Sequence, residues 1–457
     1  MSSPISDRMT PAEKRAGAAL AAIFALRMLG LFLVLPVFSV FAKTLPGGDN
    51  IFWVGLAFGI FGLAQACMQI PFGMASDRYG RKPVIVFGLL LYAAGSLMAM
   101  WAPDIGWMTA ARTLQGLGAI SAAVSALAAD LVREQHRTKV MAMIGSTIGL
   151  VFAASLVIAP ALYAAIGMDG LFLVIAGLAL LAIPLLLKVV PDPVAPPVVQ
   201  PPPPLGRVLA DGQLMRLNFG VFAVHLVQMA MFLMVPRLLV EHVGTPVSEH
   251  WKIYLPVVLA SFVLMVPAII WTEKRARHRT LLLAAIAAMG ASQLLFLLSG
   301  DTLITIAGGL FVFFTAFNLL EASLPSLVSR IAPPSAKGAA LGAFNTAQAV
   351  GAALGSSVGG AIALRFDAAG VFIFCTAIAA VWWLWARTMK SPPVVALREY
   401  AIGDHVDLDT LRSRLAVLPG VREASIEAER RMAYVRVNLE HWDEDGVRRL
   451  LDAPAAS

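Results

Sequence analysis

Long apolar blocks separated by short polar breaks run from residue 17 to residue 389. They lie near 17–42, 52–73, 83–101, 105–130, 138–165, 171–188, 216–241, 253–271, 280–298, 302–329, 338–364 and 370–389. Each is close to the ~20 residues that carry a helix across a bilayer. A helix satisfies its backbone hydrogen bonds within its own segment, which the hydrocarbon interior requires. The blocks therefore predict twelve membrane helices in two sets of six. Between the sets, residues 189–206 contain Pro201 to Pro204 in a row, and a proline-rich stretch of this kind stays extended and semi-rigid. The chain reads as a first six-helix half (1–188), a linker (189–215) and a second six-helix half (216–390).

The pattern changes after Pro392 and Pro393. Residues 396–402 read as a strand. Leu408, Leu411, Leu415 and Leu418 then recur at helical spacing behind Asp407, a residue type that caps helices. Pro419 and Gly420 end that helix. Ala424, Ile426 and Ala428 alternate, as do Ala433, Val435, Val437 and Leu439, which predicts a hairpin. A second helix follows over 443–451. The order βαββα over 396–453 is that of a small α+β ferredoxin-like sandwich whose last strand is missing or short.

Composition narrows the class. Of 457 residues, 59% are hydrophobic and only 14% charged, where a soluble domain has about a quarter charged. The net charge of +7 is distributed as a topology signal, not as a nucleic-acid surface. One set of loops carries Arg78, Arg81, Lys82; Arg133, Arg137, Lys139; Lys274, Arg275, Arg277, Arg279; and Arg330, Lys337. The opposite set has Lys43, Lys252 and Arg365, with Arg237 near a helix end. The positive-inside bias places both termini in the cytoplasm of a bacterial-type inner membrane. The first block is too long for a signal-peptide core and reads as an uncleaved span. Cys67 and Cys375 both fall inside apolar blocks and read as small buried hydrophobes.

From residue 396 onward the tail has 12 Asp/Glu against 9 Arg and no Lys, which argues against nucleic acid as a partner. The tail's first loop, with His405 between Asp404 and Asp407, has no Cys-x-x-Cys, so no metal is expected there. No HExxH, GxSxG or P-loop occurs. No cofactor is implied, and the chain is not expected to be an enzyme.

The charged stretch between the second and third blocks is Gly73-Met-Ala-Ser-Asp77-Arg78-Tyr-Gly80-Arg81-Lys82. It reads as a short loop whose glycines serve a tight turn. Its glycines, Asp-Arg pair and Arg-Lys pair closely resemble motif A of the major facilitator superfamily. Arg112-Thr-Leu-Gln115-Gly116 in the fourth span resembles motif B. Ala159-Pro160 stands where motif C of the antiporters has Gly-Pro, a partial match. The resemblance covers about residues 15–390. With the tail, the architecture is similar to proton-driven efflux transporters that carry a ferredoxin-like YAM domain after the twelfth helix.

That resemblance implies a proton-coupled antiporter working by alternating access, with drug-like compounds and protons as partners, lipid around it and a monomer as the expected state. An uptake symporter and a membrane sensor presenting its cytoplasmic domain are the alternatives. It also implies a latch. Asp77 would pair with Arg81 and with Asp130 at the end of the fourth span, and face the positive N-terminus of the eleventh helix. Arg112 would influence the protonation of a nearby acid.

Other intramembrane polar residues point to the work of the cavity, since ionisable groups at that depth are functional by default. Glu321 is the acid well inside a span of the second half, with Asn318 on the same helical face. His225 in the seventh span has Gln228 on its face. Histidine and glutamate are the residue types that relay protons, so Glu321 is the expected proton carrier and His225 its partner or an alternative site. Arg27 in the first span pairs with an acid, faces an anionic substrate, or snorkels to the surface. Gln65, Gln69, Asn345 and Gln348 line the cavity or tie helices together.

Overall fold

In a computed structural model, the described residues are 9–132, 134–192, 210–275, 277–298, 302–332, 337–389, 395–403, 406–427, 431–438 and 442–452. The linker prolines and His405 lie outside them. Among the described residues, nine helical stretches are long and apolar enough to cross a bilayer. Two of them, Met143–Lys188 and Ala340–Ala386, run 46 and 47 residues. At 1.5 Å per residue each is about 70 Å long, more than twice the hydrocarbon thickness, so each holds two crossings.

The helices are α1 (Pro11–Val34), α2 (Phe38–Ala42), α3 (Ile51–Tyr79), α4 (Arg81–Met100), α5 (Ile105–Leu117), α6 (Ser121–Leu131) and α7 (Glu134–Lys188) in the first half. The second half has α8 (Gly212–Glu241), α9 (Trp251–Lys274), α10 (His278–Leu298), α11 (Leu303–Ile331) and α12 (Lys337–Ala386). The fifth and sixth spans are α7 on either side of Gly167, whose φ of 68° reverses the chain. The eleventh and twelfth are α12 on either side of Asp367, at φ 51°. The fourth span is α5 and α6 together, interrupted at Gly118. The first bends after Val34 into α2. Twelve spans in two sets of six result. Asp211 caps α8 by accepting from Gln213 N and Leu214 N, so the seventh span begins inside the stretch 189–215 read as linker. Leu150, Val263, Leu298 and Ile304 stand largely exposed on the outside; a polytopic bundle offers such side chains to lipid.

The two halves meet in a seam at one end. Gly55 and Gly59 in the second span lie against the eleventh: a Cβ at Gly55 would come 2.2 Å from Ser356 O, and one at Gly59 2.4 Å from Ala353 O. Such backbone approach is possible only without side chains. At the same end Ser39 donates to Phe232 O at 3.2 Å, and Lys43 Nζ meets Glu241 at 2.7 Å, joining the first span to the seventh. Arg237 reaches the same carboxylate at 3.4 Å. At the opposite end, by contrast, a Cβ at Gly73 would meet only Ala122 of its own half within 4 Å. The halves are thus clasped at the end away from residues 73–82. The Lys43–Glu241 pair is exposed, and exposed pairs contribute about 1 kcal/mol or less. Lys43→Ala is therefore expected to shift the balance between clasped and open states by no more than about fivefold, read from distances between spin labels on the first and seventh spans.

The tail forms β1 (Val395–Ala401), α13 (Leu408–Val417), β2 (Val421–Glu427), β3 (Met432–Asn438) and α14 (Glu444–Asp452). The sheet is antiparallel, in the order β1-β3-β2. Its buried side includes Leu411, Leu415, Ala433, Val435, Val437, Val447 and Leu451, which matches the alternation read in the sequence. Thr410 N donates to the Asp407 carboxylate at 3.3 Å, the expected cap.

Candidate functional site

The charged stretch is not a loop along most of its length. Residues 73–79 are the last two turns of α3, and α4 starts at Arg81. The whole turn is Gly80, at φ 94°, a conformation that side-chain-bearing residues rarely adopt. This corrects the sequence reading. The helix continues because nothing from Met74 to Tyr79 breaks it, and one glycine suffices to reverse it. The short turn brings Asp77 and Arg81 within one helical step. Arg81 Nη1 donates to Asp77 and, at 2.7 Å, to Ser76 Oγ. Arg81 Nε donates to Asp130 Oδ2 at 2.8 Å. One guanidinium thus ties the second, third and fourth spans.

Arg78 is exposed and lies over the Tyr79 ring at 5.4 Å. Lys82 Nζ reaches Val190 O and Asp192, each at 2.7 Å, and so anchors the exit from the sixth span. Among the described residues the Asp77 carboxylate, 64% exposed, is bonded to Arg81. The described approach of the second and eleventh spans at Gly55 and Gly59 is at the far end, and among the described residues no bond joins Asp77 to the eleventh helix.

In the second half three spans converge. His225 is buried on α8, and its Nδ1 lies 3.0 Å from Val221 O. A carbonyl only accepts, so Nδ1 carries the hydrogen. That leaves Nε2 as acceptor toward the Gln348 side-chain amide on α12, at 2.7 Å. Glu321 Oε1 on α11 stands 3.5 Å from the same Nε2. With a second proton, Nε2 would become a donor and Glu321 its natural acceptor. One added proton would therefore change which partner the ring nitrogen serves. Phe317 packs with its ring centre 6.0 Å from that of His225. Asn318, expected beside Glu321 in the cavity, instead donates to Ser261 Oγ at 3.0 Å and ties α11 to α9. Gln228 is buried a turn along α8, and Asn345 is exposed.

In the first half, Arg27 on α1 donates from Nη2 to Gln65 Oε1 at 3.0 Å and from Nη1 to Ser121 Oγ at 3.2 Å. It is 1% exposed, so it does not snorkel. Arg112 on α5 donates to Gln115 Oε1 at 2.7 Å, Gln115 Nε2 donates to Ser96 Oγ at 2.7 Å, and Ser96 donates to Tyr92 O. Gly116 makes room for this: a Cβ there would lie 2.4 Å from Phe61 O. No carboxylate bonds to either arginine among the described residues, so Arg112 and Glu321 are not joined. Gln69 is half-buried and joins neither cluster. Ala159 and Pro160 are buried in the fifth span.

Sequence reasoning missed Tyr92, Phe61, Ser96 and Ser121. Tyr92 had a signal, as the one tyrosine in the third span. The serines and Phe61 had none, since their role comes from helices distant in sequence.

A family model described as Major Facilitator Superfamily matches residues 20–356 and 258–410. The chain is 40% identical to the inner membrane transport protein YajR of Escherichia coli (strain K12), over 94% of this chain and 96% of that protein. It is 27% identical to the multidrug resistance protein MdtH of Enterobacter sp. (strain 638), covering 78% of this chain and 90% of that one. Its fold is similar to the crystal structure of a bacterial homologue of the human lysosomal transporter Spinster, inward-facing and occupied. The TM-score is 0.65 at 16% identity, over 83% of this chain and 98% of that chain.

Proposed function

The chain belongs to the major facilitator superfamily, a family of membrane transporters, and on that footing we propose that it is a proton-coupled antiporter exporting small drug-like organic compounds. The observation that carries this reading is the His225–Glu321–Gln348 cluster, where spans seven, ten and eleven share one titratable centre. In one form Gln348 donates to neutral His225. In the other, protonated His225 faces Glu321 and the amide has to turn. A proton moving on or off this centre thereby changes which helices are held together, which is what coupling to alternating access requires. The names of the relatives, an inner membrane transport protein and a multidrug resistance protein, support an inner-membrane location and a drug-like cargo.

With both termini in the cytoplasm, residues 73–82 face the cytoplasm and the clasped seam faces outward. The clasp then closes the outward-facing end. The Asp77–Arg81–Asp130 set braces the cytoplasmic ends of the first half. In the opposite state Asp77 would turn to the N-terminus of the eleventh helix, where the helix dipole favours a carboxylate. Arg112 acts on protonation through the field of its charge, and the tail is a cytoplasmic YAM domain.

Inside-out vesicles with an acid lumen test the proposal, using a panel of neutral, cationic and anionic lipophilic compounds. Antiport predicts accumulation of a panel member against its gradient, lost at least a hundredfold in Glu321→Gln. A symporter would instead empty preloaded vesicles. Full gradient-driven accumulation in Glu321→Gln would remove Glu321 from the coupling step.

A further inference from the structure

Two arginines deep in the first half have no carboxylate partner among the described residues. Arg27 and Arg112 are each 1% exposed, and their described hydrogen-bond partners are the neutral oxygens of Gln65, Ser121 and Gln115. Aromatic rings stand between the two cations. The Arg27 guanidinium lies 5.8 Å from the Tyr92 ring centre, and Tyr92 and Phe61 meet edge to face at 6.2 Å. Arg112 lies 4.9 Å from the Phe61 ring and 5.8 Å from that of Phe38. Cation–π contact offsets part of the cost of burial. It leaves Arg27 Nε, Arg112 Nε and Tyr92 Oη without hydrogen-bond partners. Buried charge is otherwise paired, so this arrangement is incomplete unless a further negative group arrives.

The geometry around Arg27 shows how one would be held. Its two terminal nitrogens each hold one neutral oxygen, on Gln65 and Ser121, as the two oxygens of a carboxylate would be held end-on. Gln65 and Ser121 are both half-buried and so more exposed than the arginine they bind. An incoming anionic oxygen would take their place without disturbing the packing behind. Resting on the transport reading above, we infer that the cargo is a lipophilic organic anion, an aromatic carboxylate or sulfonate, recognised by Arg27 with Arg112 reinforcing the field. Two guanidiniums without a carboxylate partner among the described residues disfavour a cation. Cargo and proton then occupy different halves, Arg27 in the first and Glu321 in the second.

The test is equilibrium binding to the full-length protein in nanodiscs, without a pH gradient, of four probes sharing one ring system: 1-naphthoate, 1-naphthalenesulfonate, 1-naphthamide and 1-naphthylmethylammonium. The two anions are expected to bind at least tenfold tighter than the amide, with the ammonium weakest. Arg27→Gln should bring the anions down to the amide's affinity, and Arg27→Lys should fall between. Equal binding of all four, binding of none, or an anion preference intact in Arg27→Gln would overturn the inference. The wild-type ranking decides the matter even if Arg27→Gln fails to fold. Because no gradient is imposed, loss of proton coupling in Glu321→Gln leaves this result untouched. A protein that couples protons but ranks the ammonium above the anions would keep the transport reading and sink this one.

Discussion

Replacing Gly55 with valine is expected to reduce transport at least a hundredfold while leaving membrane insertion intact. The reason is contact with backbone, not with a side chain that could swing away. A Cβ at this position would lie 2.2 Å from Ser356 O and 3.1 Å from Ser356 C, and γ-methyls would intrude further. Overpacking of this kind costs about 1–3 kcal/mol where neighbours can yield, and here two helix backbones would have to part. If the cycle opens this seam in its other state, the cost falls on the clasped state alone. A bias of about 3 kcal/mol against one of two states moves their ratio by more than a hundredfold. The protein should be held with the seam open, as spin labels on the second and eleventh spans would report. Gly308→Ala is the matched control, since nothing lies within 4 Å of a Cβ there. Wild-type transport by Gly55→Val would mean that the seam plays no part in the cycle.

Loss of the Arg81 guanidinium should lower both stability and transport. Arg81→Ala removes the partner shared by Ser76, Asp77 and Asp130. Asp130 is only 16% exposed, so its carboxylate would be left largely desolvated. Stripping one partner from a buried pair costs about 3–5 kcal/mol; the residual exposure places this case at or below the lower end. Both thermal stability and transport should fall, transport by at least tenfold. Arg81→Lys should recover little, because a single ammonium cannot reproduce the fork that serves Nε and Nη1 together. Asp77→Asn separates the two effects. Its carboxylate is 64% exposed, so stability should barely change, whereas transport falls if Asp77 docks on the eleventh helix in the other state. Purified variants compared by thermal unfolding and by vesicle flux would show the split. Unchanged flux in Asp77→Asn would remove the latch from the mechanism.

What could be read along the chain was local. Bilayer thickness and backbone hydrogen bonding act on one segment at a time, so apolar block length was enough to predict twelve spans. The alternation of Val435 and Val437 and the spacing of Leu411 and Leu415 likewise marked the tail's strand and helix. Local reasoning failed where a single residue's φ sets the outcome. The charged run read as a loop, although it holds no helix breaker from Met74 to Tyr79 and α3 continues through Asp77 to reverse at Gly80.

Pairing between distant segments was another matter. His225 and Glu321 were both legible as intramembrane titratable groups, but that they share Nε2 with Gln348 depends on how α8, α11 and α12 pack. Asn318 shows the converse: it shares a helical face with Glu321, yet α9 takes its amide. Lys43 and Glu241 are 198 residues apart and meet only because the first and seventh spans close at one end. Arg27 was visible as a costly charge with three open readings. Its burial beside Gln65 and Ser121, with no acid bonded to it among the described residues, comes from helices α1, α3 and α6 converging. Hydrophobicity selects the spans residue by residue, whereas a polar group inside the membrane is defined by whatever neighbouring helices bring to it.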